Sequence, residues 1–308
     1  MKVLFAGLGS IGARHLRNLS ALCAKLGIAL EVTALRSGLR PLTPELEVLV
    51  ARQITEVPDS ERFTLAFITN PTHLHAATLE ALRGKAEAFF IEKPIFEATD
   101  YDLDVLGLGE TQKAYVAAPM RWCGVYLALK EQLAQTQPYS VRAICSSYLP
   151  DWRKGVDYRT VYSAKRAMGG GVTLDLIHEW DYLADLFGIP LQCHHFSGKF
   201  SHLEIDADDL SVYIAQYANF LCELHLDYFG RGYRRDIEIF TKEGTLSADF
   251  GSGLLTLQDG TVQDYAEDAN RRYEREMEYF LEYALRGDGE SLNSPRHALS
   301  ILRLALGE

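Results

Sequence analysis

Residues 2–27 read KVLFAGLGSIGARHLRNLSALCAKLG. A short apolar run leads into Gly7-x-Gly9-x-x-Gly12, after which Ile11, Leu16, Leu19, Cys23 and Leu26 recur at the spacing of one helical face until Gly27 supplies a stop. Strand, glycine turn and helix in this order predict a dinucleotide-binding unit. The first glycine permits the tight turn, the second lets backbone approach a pyrophosphate, and the third lets the helix pack on the strand, with the helix N-terminus facing the phosphates. Gly7, Gly9, Ser10, Ile11 and Gly12 are the first cofactor-binding candidates.

The alternation continues downstream. ALEVTAL (29–35) predicts a second strand, at whose end an NAD-preferring site presents an acid to the ribose 2'-hydroxyl. This chain has Arg36 and Ser37 there, with Arg40 close by, groups better suited to a 2'-phosphate. NADP(H) is therefore the preferred cofactor, and NAD(H) the alternative if Arg36 is an ordinary loop cation. LAFITNPTHLHAATLEALRG (65–84) is a third strand entering a helix through Asn70, Pro71 and Thr72; AFFIEKPI (88–95) is a fourth, ending in Glu92, Lys93 and Pro94. Strands alternating with helices imply a doubly wound parallel sheet whose ligand lies beyond the carboxyl ends of its strands. Asn70 and Lys93 stand at such ends, and Pro71, His75 and Glu92 complete the cofactor-side set. Pro94 restrains the backbone of Lys93.

At 308 residues the chain exceeds one hydrophobic core, and about 150 residues per domain suggests two. From about residue 120 the helix–strand alternation gives way to period two. In FLCELHLDYF (220–229), Cys222, Leu224, Leu226 and Tyr228 take one side of a strand and Glu223, His225 and Asp227 the other. Glu243-Gly244 and Asp259-Gly260 mark turns between further strands, so a mainly antiparallel sheet is expected. The fold class is α/β: a Rossmann domain over 1–119 and an α+β substrate and oligomerisation domain over 120–308, closed by two helices near 273–287 and 294–306.

The net charge of −11 argues against a nucleic-acid binder and disfavours an anionic membrane surface. No apolar run approaches the roughly 20 residues that span a bilayer, and a cytoplasmic chain is expected. Five scattered cysteines without a C-x-x-C pair suggest neither a disulfide framework nor zinc.

Two stretches carry candidate substrate chemistry. PDWRKGVDYRTVYSAKR (150–166) sets Arg153, Lys154, Arg159, Lys165 and Arg166 against Asp151 and Asp157, a local surplus of three positive charges interleaved with Trp152, Tyr158 and Tyr162. Aromatic faces pack on sugar CH groups and cations recognise carboxylate or phosphate, which suggests an anionic sugar or sugar nucleotide; a solvated loop is the plain alternative. GGGVTLDLIHEWDYL (169–183) follows. On a helical wheel Leu176, Ile177, Trp180, Leu183, Ala184 and Phe187 fill one arc, and Asp175, His178, Glu179, Tyr182 and Asp185 the other. That polar arc by itself reads as solvent-facing.

GLGSIGARH, TNPTHLH, EKP and GGGVTLDLIHEWDYL, in this order over more than half the chain, resemble the glucose-fructose oxidoreductase / inositol dehydrogenase / MocA (Gfo/Idh/MocA) family of NAD(P)-dependent sugar oxidoreductases. The resemblance implies a C-terminal open sheet whose outer face mediates homodimers or homotetramers. It also implies Lys93, Asp175 and His178 as the reactive set beside the nicotinamide; Arg153, Tyr158 and Tyr162 of the basic stretch and Tyr182, a further turn along from His178, are the substrate-side candidates. One departure concerns spacing: many members have Asp-x-x-x-His, whereas this chain has Asp-x-x-His, which leaves open whether His178 or Lys93 moves the proton. A near-neutral histidine suits removal of a hydroxyl proton, Lys93 would stabilise the developing oxygen charge, and Asp175 would orient His178 or bind a sugar hydroxyl.

Three other readings compete. Tyr126-x-x-x-Lys130 matches short-chain dehydrogenase spacing, but within a plain amphipathic helix; His178, Glu179, His194, His195 and His202 lack metal-site spacing, so no metal is expected. A catalytically silent NAD(P)-binding regulator of the same fold is the alternative to an enzyme.

Overall fold

The computed structural model describes residues 1–134, 136–286 and 289–308. In chain order the first elements are β1 (Lys2–Ala6), α1 (Ser10–Leu26), β2 (Glu31–Leu35), α2 (Pro44–Leu49), β3 (Arg52–Ile54), β4 (Phe63–Ile68), α3 (His75–Ala81), β5 (Ala86–Ile91) and β6 (Lys113–Val116). Then come α4 (Gly124–Leu133), β7 (Ser140–Tyr148), α5 (Val172–Asp175), α6 (His178–Phe187), β8 (Gln192–Gly198) and β9 (Leu210–Gln216). The last are β10 (Leu221–Asp227), β11 (Phe229–Phe240), β12 (Thr245–Asp249), β13 (Leu254–Thr256), β14 (Val262–Asp264), α7 (Arg271–Arg286) and α8 (Pro295–Leu306).

The chain forms two compact units, one of Met1–Ala117 with Tyr273–Leu299 and one of Ala118–Arg272 with Ser300–Glu308. The first is built on a parallel six-stranded sheet in the order β3-β2-β1-β4-β5-β6. Its order reverses between β1 and β4, the position where doubly wound sheets bind ligands. The central strands are continuous apolar runs, as a sheet covered on both faces requires: Val3, Leu4 and Phe5 of β1 and Leu65 to Ile68 of β4 are fully buried.

Tyr273–Leu299 joins this unit, although the sequence pattern placed it with the second half. The cause is the apolar face of α7. Phe280 meets Phe67 and Phe90 edge-on at 5.4 and 5.1 Å, and Glu276 accepts a hydrogen bond from the Tyr115 hydroxyl at 3.0 Å. Asn293 then pairs with Val116, donating from Nδ2 at 3.0 Å and accepting the Val116 N–H at 2.9 Å.

The second unit carries an eight-stranded sheet, β14-β13-β12-β11-β7-β10-β9-β8, antiparallel except for the β7–β10 pair. One face is buried and the other open, so β10 hides Cys222, Leu224 and Leu226 while Glu223 is exposed. Gly244 and Gly260, both at positive φ, make the turns their sequence signals predicted. The fold is the mixed α/β architecture expected from the motifs. Among the described residues, no helix is long and apolar enough to cross a membrane.

Candidate functional site

The glycine turn follows β1 directly. Gly7 stands at φ +92°, and a Cβ there would lie 2.7 Å from Asn70 Cα, so the turn and the end of β4 meet backbone to backbone. A Cβ on Gly12 would fall 2.4 Å from the Gly7 carbonyl, which ties α1 closely to the turn. Gly9 differs: its Cβ would meet nothing within 4 Å. Gly9 is also the N-cap of α1, with no side-chain cap and no acid in the first turn. Uncapped amides and a clear approach beside Gly9 fit a dinucleotide pyrophosphate.

Arg36 follows β2, and its Nη1 donates to Gln53 Oε1 and to the Arg40 carbonyl. The guanidinium is thereby oriented at the end of β2, where Ser37 is exposed and no acid stands.

Beyond β5 lies the segment with Lys93. Glu92 is buried, and its Oε1 lies 2.5 Å from Nε2 of His15, a fully buried residue of α1. Its Oε2 accepts the Lys93 backbone N–H at 3.2 Å. Burial works against the Glu92 carboxylate, but the His15 hydrogen bond and the charges of His15 and Lys93 outweigh it and hold the pKa below its ordinary value. His75 is buried too, with Nδ1 3.0 Å from the Ile95 carbonyl and Nε2 3.0 Å from the Asn70 carbonyl. As a neutral ring it donates to one of these carbonyls and packs against the other, so this cofactor-side candidate serves the backbone and does not itself face a ligand. Across residues 88–96, Lys93 is the one residue that is not buried.

In the second unit two of the three glycines, Gly170 and Gly171, answer to crowding. A Cβ on Gly170 would lie 2.1 Å from the Tyr162 carbonyl, and one on Gly171, at φ +126°, would lie 2.1 Å from Asp208 Oδ1. Asp208 in turn caps α5, accepting from the Thr173 N–H at 2.9 Å and its hydroxyl at 2.7 Å. The run from 172 to 187 is two helices, α5 and α6, joined at Leu176 and Ile177. Asp175 closes the first and His178 opens the second.

Asp175 is buried, and its Oδ2 accepts a 2.5 Å hydrogen bond from the Tyr228 hydroxyl. Burial, then the Asp175 charge, raises the pKa of the Tyr162 phenol. Trp152 meets the Tyr228 ring edge-on at 5.2 Å, and the Arg153 guanidinium lies 5.9 Å from the Tyr162 ring centroid. Arg153, Tyr162 and Asp175 therefore form one cluster, with Tyr158 close to Arg153 around a small crevice. Tyr228 belongs to it and was read from the sequence as a core residue only. The local charge surplus is partly cancelled: Arg159 pairs with Asp157 at 2.9 Å and with Glu204 at 2.6 Å.

Tyr182 requires a correction. It is fully buried and stacks on Phe250 at 4.9 Å, so it is a core residue and not a substrate contact. The supposed solvent-facing arc is packed and paired. Glu179 meets Arg235 at 2.7 Å, Asp181 takes a two-pronged contact from Arg121 at 2.7 and 2.9 Å, and Asp185 receives Arg121 and Lys130 at 3.2 and 2.6 Å. Tyr126 donates to the same Asp185, which gives the Tyr-x-x-x-Lys spacing a structural role. Through residues 170–184, every residue is buried except His178.

The same unit holds a cavity of about 260 Å³ lined by Cys123, Tyr233, Phe250, Ser252, Tyr265 and Arg272, among others. Sequence reasoning singled out none of them, because they come from five separated stretches.

Fold and glycine turn together define a dinucleotide-binding class of protein. Residues 1–114 match the family model of Gfo/Idh/MocA, described as an oxidoreductase family with an NAD-binding Rossmann fold. No curated protein matches the chain. Among solved structures, the WlbA dehydrogenase from Bordetella pertussis, in complex with NADH and UDP-GlcNAcA, is 16% identical with TM-score 0.78, covering 100% of this chain and 94% of that one. The UDP-N-acetylglucosamine 3-dehydrogenase GnnA from Acidithiobacillus ferrooxidans is 18% identical with TM-score 0.72 over 99% and 95% of the chains. The myo-inositol 2-dehydrogenase from Lactobacillus plantarum is 18% identical with TM-score 0.77, again over 99% and 95%. The resemblance read from the motifs agrees with the family-model match over residues 1–114, and the whole chain has the fold of these solved dehydrogenases.

Proposed function

We propose that this chain is an NADP(H)-preferring oxidoreductase that interconverts a secondary alcohol and a ketone on an anionic sugar or sugar nucleotide. One observation carries the assignment of its reactive groups: Lys93 and His178 are each the single accessible residue in an otherwise buried stretch. Each therefore keeps surface to offer a ligand while its neighbours are packed.

The nicotinamide, when bound, supplies the hydride exchange. The chain supplies the rest. Gly7, Gly9, Ser10, Ile11 and Gly12 hold the pyrophosphate at the start of α1, Arg36 and Ser37 bind the 2'-phosphate, and Asn70 and Pro71 line the turn beyond β4. His178 takes the hydroxyl proton in one direction and returns it in the other. Lys93 donates a hydrogen bond to the substrate oxygen as charge develops. Asp175, held by the Tyr228 hydroxyl, keeps its carboxylate beside the substrate cluster, where Arg153 offers a charge partner for an anionic group. The aromatic, serine and arginine lining of the second unit's cavity suits a hydroxylated ligand. Support for the substrate class comes from WlbA, solved with a sugar nucleotide, and from GnnA and the inositol dehydrogenase, named for sugar-nucleotide and cyclitol substrates. A homodimer or homotetramer through the open sheet face belongs to the same reading.

The test is direct. Bound NADPH fluorescence is followed while a panel of keto-sugars and keto-sugar nucleotides is added. Oxidation with an anionic member supports the proposal; binding of NADPH without turnover across the panel contradicts it.

A further inference from the structure

Two buried imidazoles grip the segment that carries Lys93. From α1, His15 holds the Glu92 carboxylate at 2.5 Å, and that carboxylate holds the Lys93 N–H at 3.2 Å. From α3, His75 reaches the Ile95 carbonyl at 3.0 Å with one nitrogen and the Asn70 carbonyl at 3.0 Å with the other. The backbone is thus tied on both sides of Lys93, once by each ring. Exposures of 0% for His15 and 1% for His75 leave neither ring a surface to offer a ligand. Both ties also end at the cofactor turn. α1 starts within the glycine turn, and Asn70 is the residue that Gly7 abuts.

We infer that His15 and His75 are positioning residues that aim the Lys93 ammonium and couple its aim to the cofactor turn. The inference rests on the reading of Lys93 as a reactive group. The rings touch only protein, so their effect reaches the reaction through the placement of Lys93. A misplacement of about 1 Å in a reacting group costs on the order of 100-fold in rate.

The experiment uses the full chain. Lys93 is labelled competitively with trace acetic anhydride, and its rate is referred to that of exposed Lys25 in the same sample, for wild type, His75→Ala and His15→Gln. If His75→Ala does not accumulate folded, His75→Gln, which keeps one donor and one acceptor, takes its place. The expected result is a Lys93 rate shifted by about threefold or more, because the reactivity of an accessible amine follows its placement and the charges around it. It is accompanied by a fall in kcat of about tenfold or more while KM for the sugar moves little. An unshifted Lys93 rate in both histidine variants overturns the inference. Full turnover in Lys93→Met would instead remove Lys93 from the chemistry and leave the labelling result standing, so the two failures are separable.

Discussion

The hydroxyl of Tyr228 donates a 2.5 Å hydrogen bond to Oδ2 of Asp175, and both residues are buried. Tyr228→Phe keeps the ring, and with it the Trp152 contact, while removing the donor from a buried carboxylate. The variant is expected to lose roughly 1–3 kcal/mol of unfolding free energy, read from the denaturant midpoint. Its kcat also falls, because Asp175 loses its phenol anchor. An unchanged midpoint and unchanged kcat would show that this bond orders nothing.

The glycine turn gives a paired prediction. Gly12→Ala must push α1 away from the Gly7 carbonyl and is expected to cost about 1–3 kcal/mol of stability. Gly9→Ala meets no protein atom within 4 Å and leaves the melting temperature unchanged. It still weakens NADPH, by about 1.4 kcal/mol or tenfold in Kd, because the new methyl group occupies the pyrophosphate approach. NADPH titration by fluorescence and thermal melts separate the two.

Stability should depend on pH through Glu92 and His75. The folded Glu92 pKa lies below its ordinary value, so its contribution is full above about pH 4.3 and is lost as pH falls through the folded pKa. The His75 pKa is lowered, first by burial, so the unfolded chain takes up that proton first and stability begins to fall below about pH 6.5. Both losses run toward acid. Glu92→Gln should flatten the lower part of the curve and His75→Gln the upper part, measured as unfolding free energy against pH. Curves parallel to wild type would contradict the assignment.

Much of this was legible in sequence. Strand, glycine turn and helix are consecutive in residues 2–27, so periodicity reports them without knowledge of distant partners, and the same holds for β4, β5 and the hairpin turns at Gly244 and Gly260. β3 and β6, of three and four residues, are too short to show a period. The return of α7 to the first unit was hidden because Phe280 finds Phe67 and Phe90 across most of the chain. Tyr182 was misplaced for a related reason. A helical wheel counts polarity, and Glu179, Asp181 and Asp185 are polar because Arg235, Arg121 and Lys130 come to meet them from remote elements. Tyr228 shows the converse: its strand position marks it as core, and only the fold reveals the hydroxyl on Asp175.

The proposed preference for NADP(H) rests on Arg36. Its Nη1 is held by Gln53 and the Arg40 carbonyl, which aims the group and lowers the entropy of binding a 2'-phosphate. Arg36→Asp is expected to move the kcat/KM ratio toward NAD(H) by about 100-fold, a swing of roughly 2.7 kcal/mol. A ratio that does not move would remove the basis for NADP(H).

The most direct test of the central claim is the turnover of Lys93→Met with NADPH and an active keto-sugar substrate, measured beside its NADPH affinity. The proposed chemistry predicts a loss of about 100-fold or more in kcat, with NADPH bound nearly as tightly as by wild type. Wild-type turnover in that variant would contradict it.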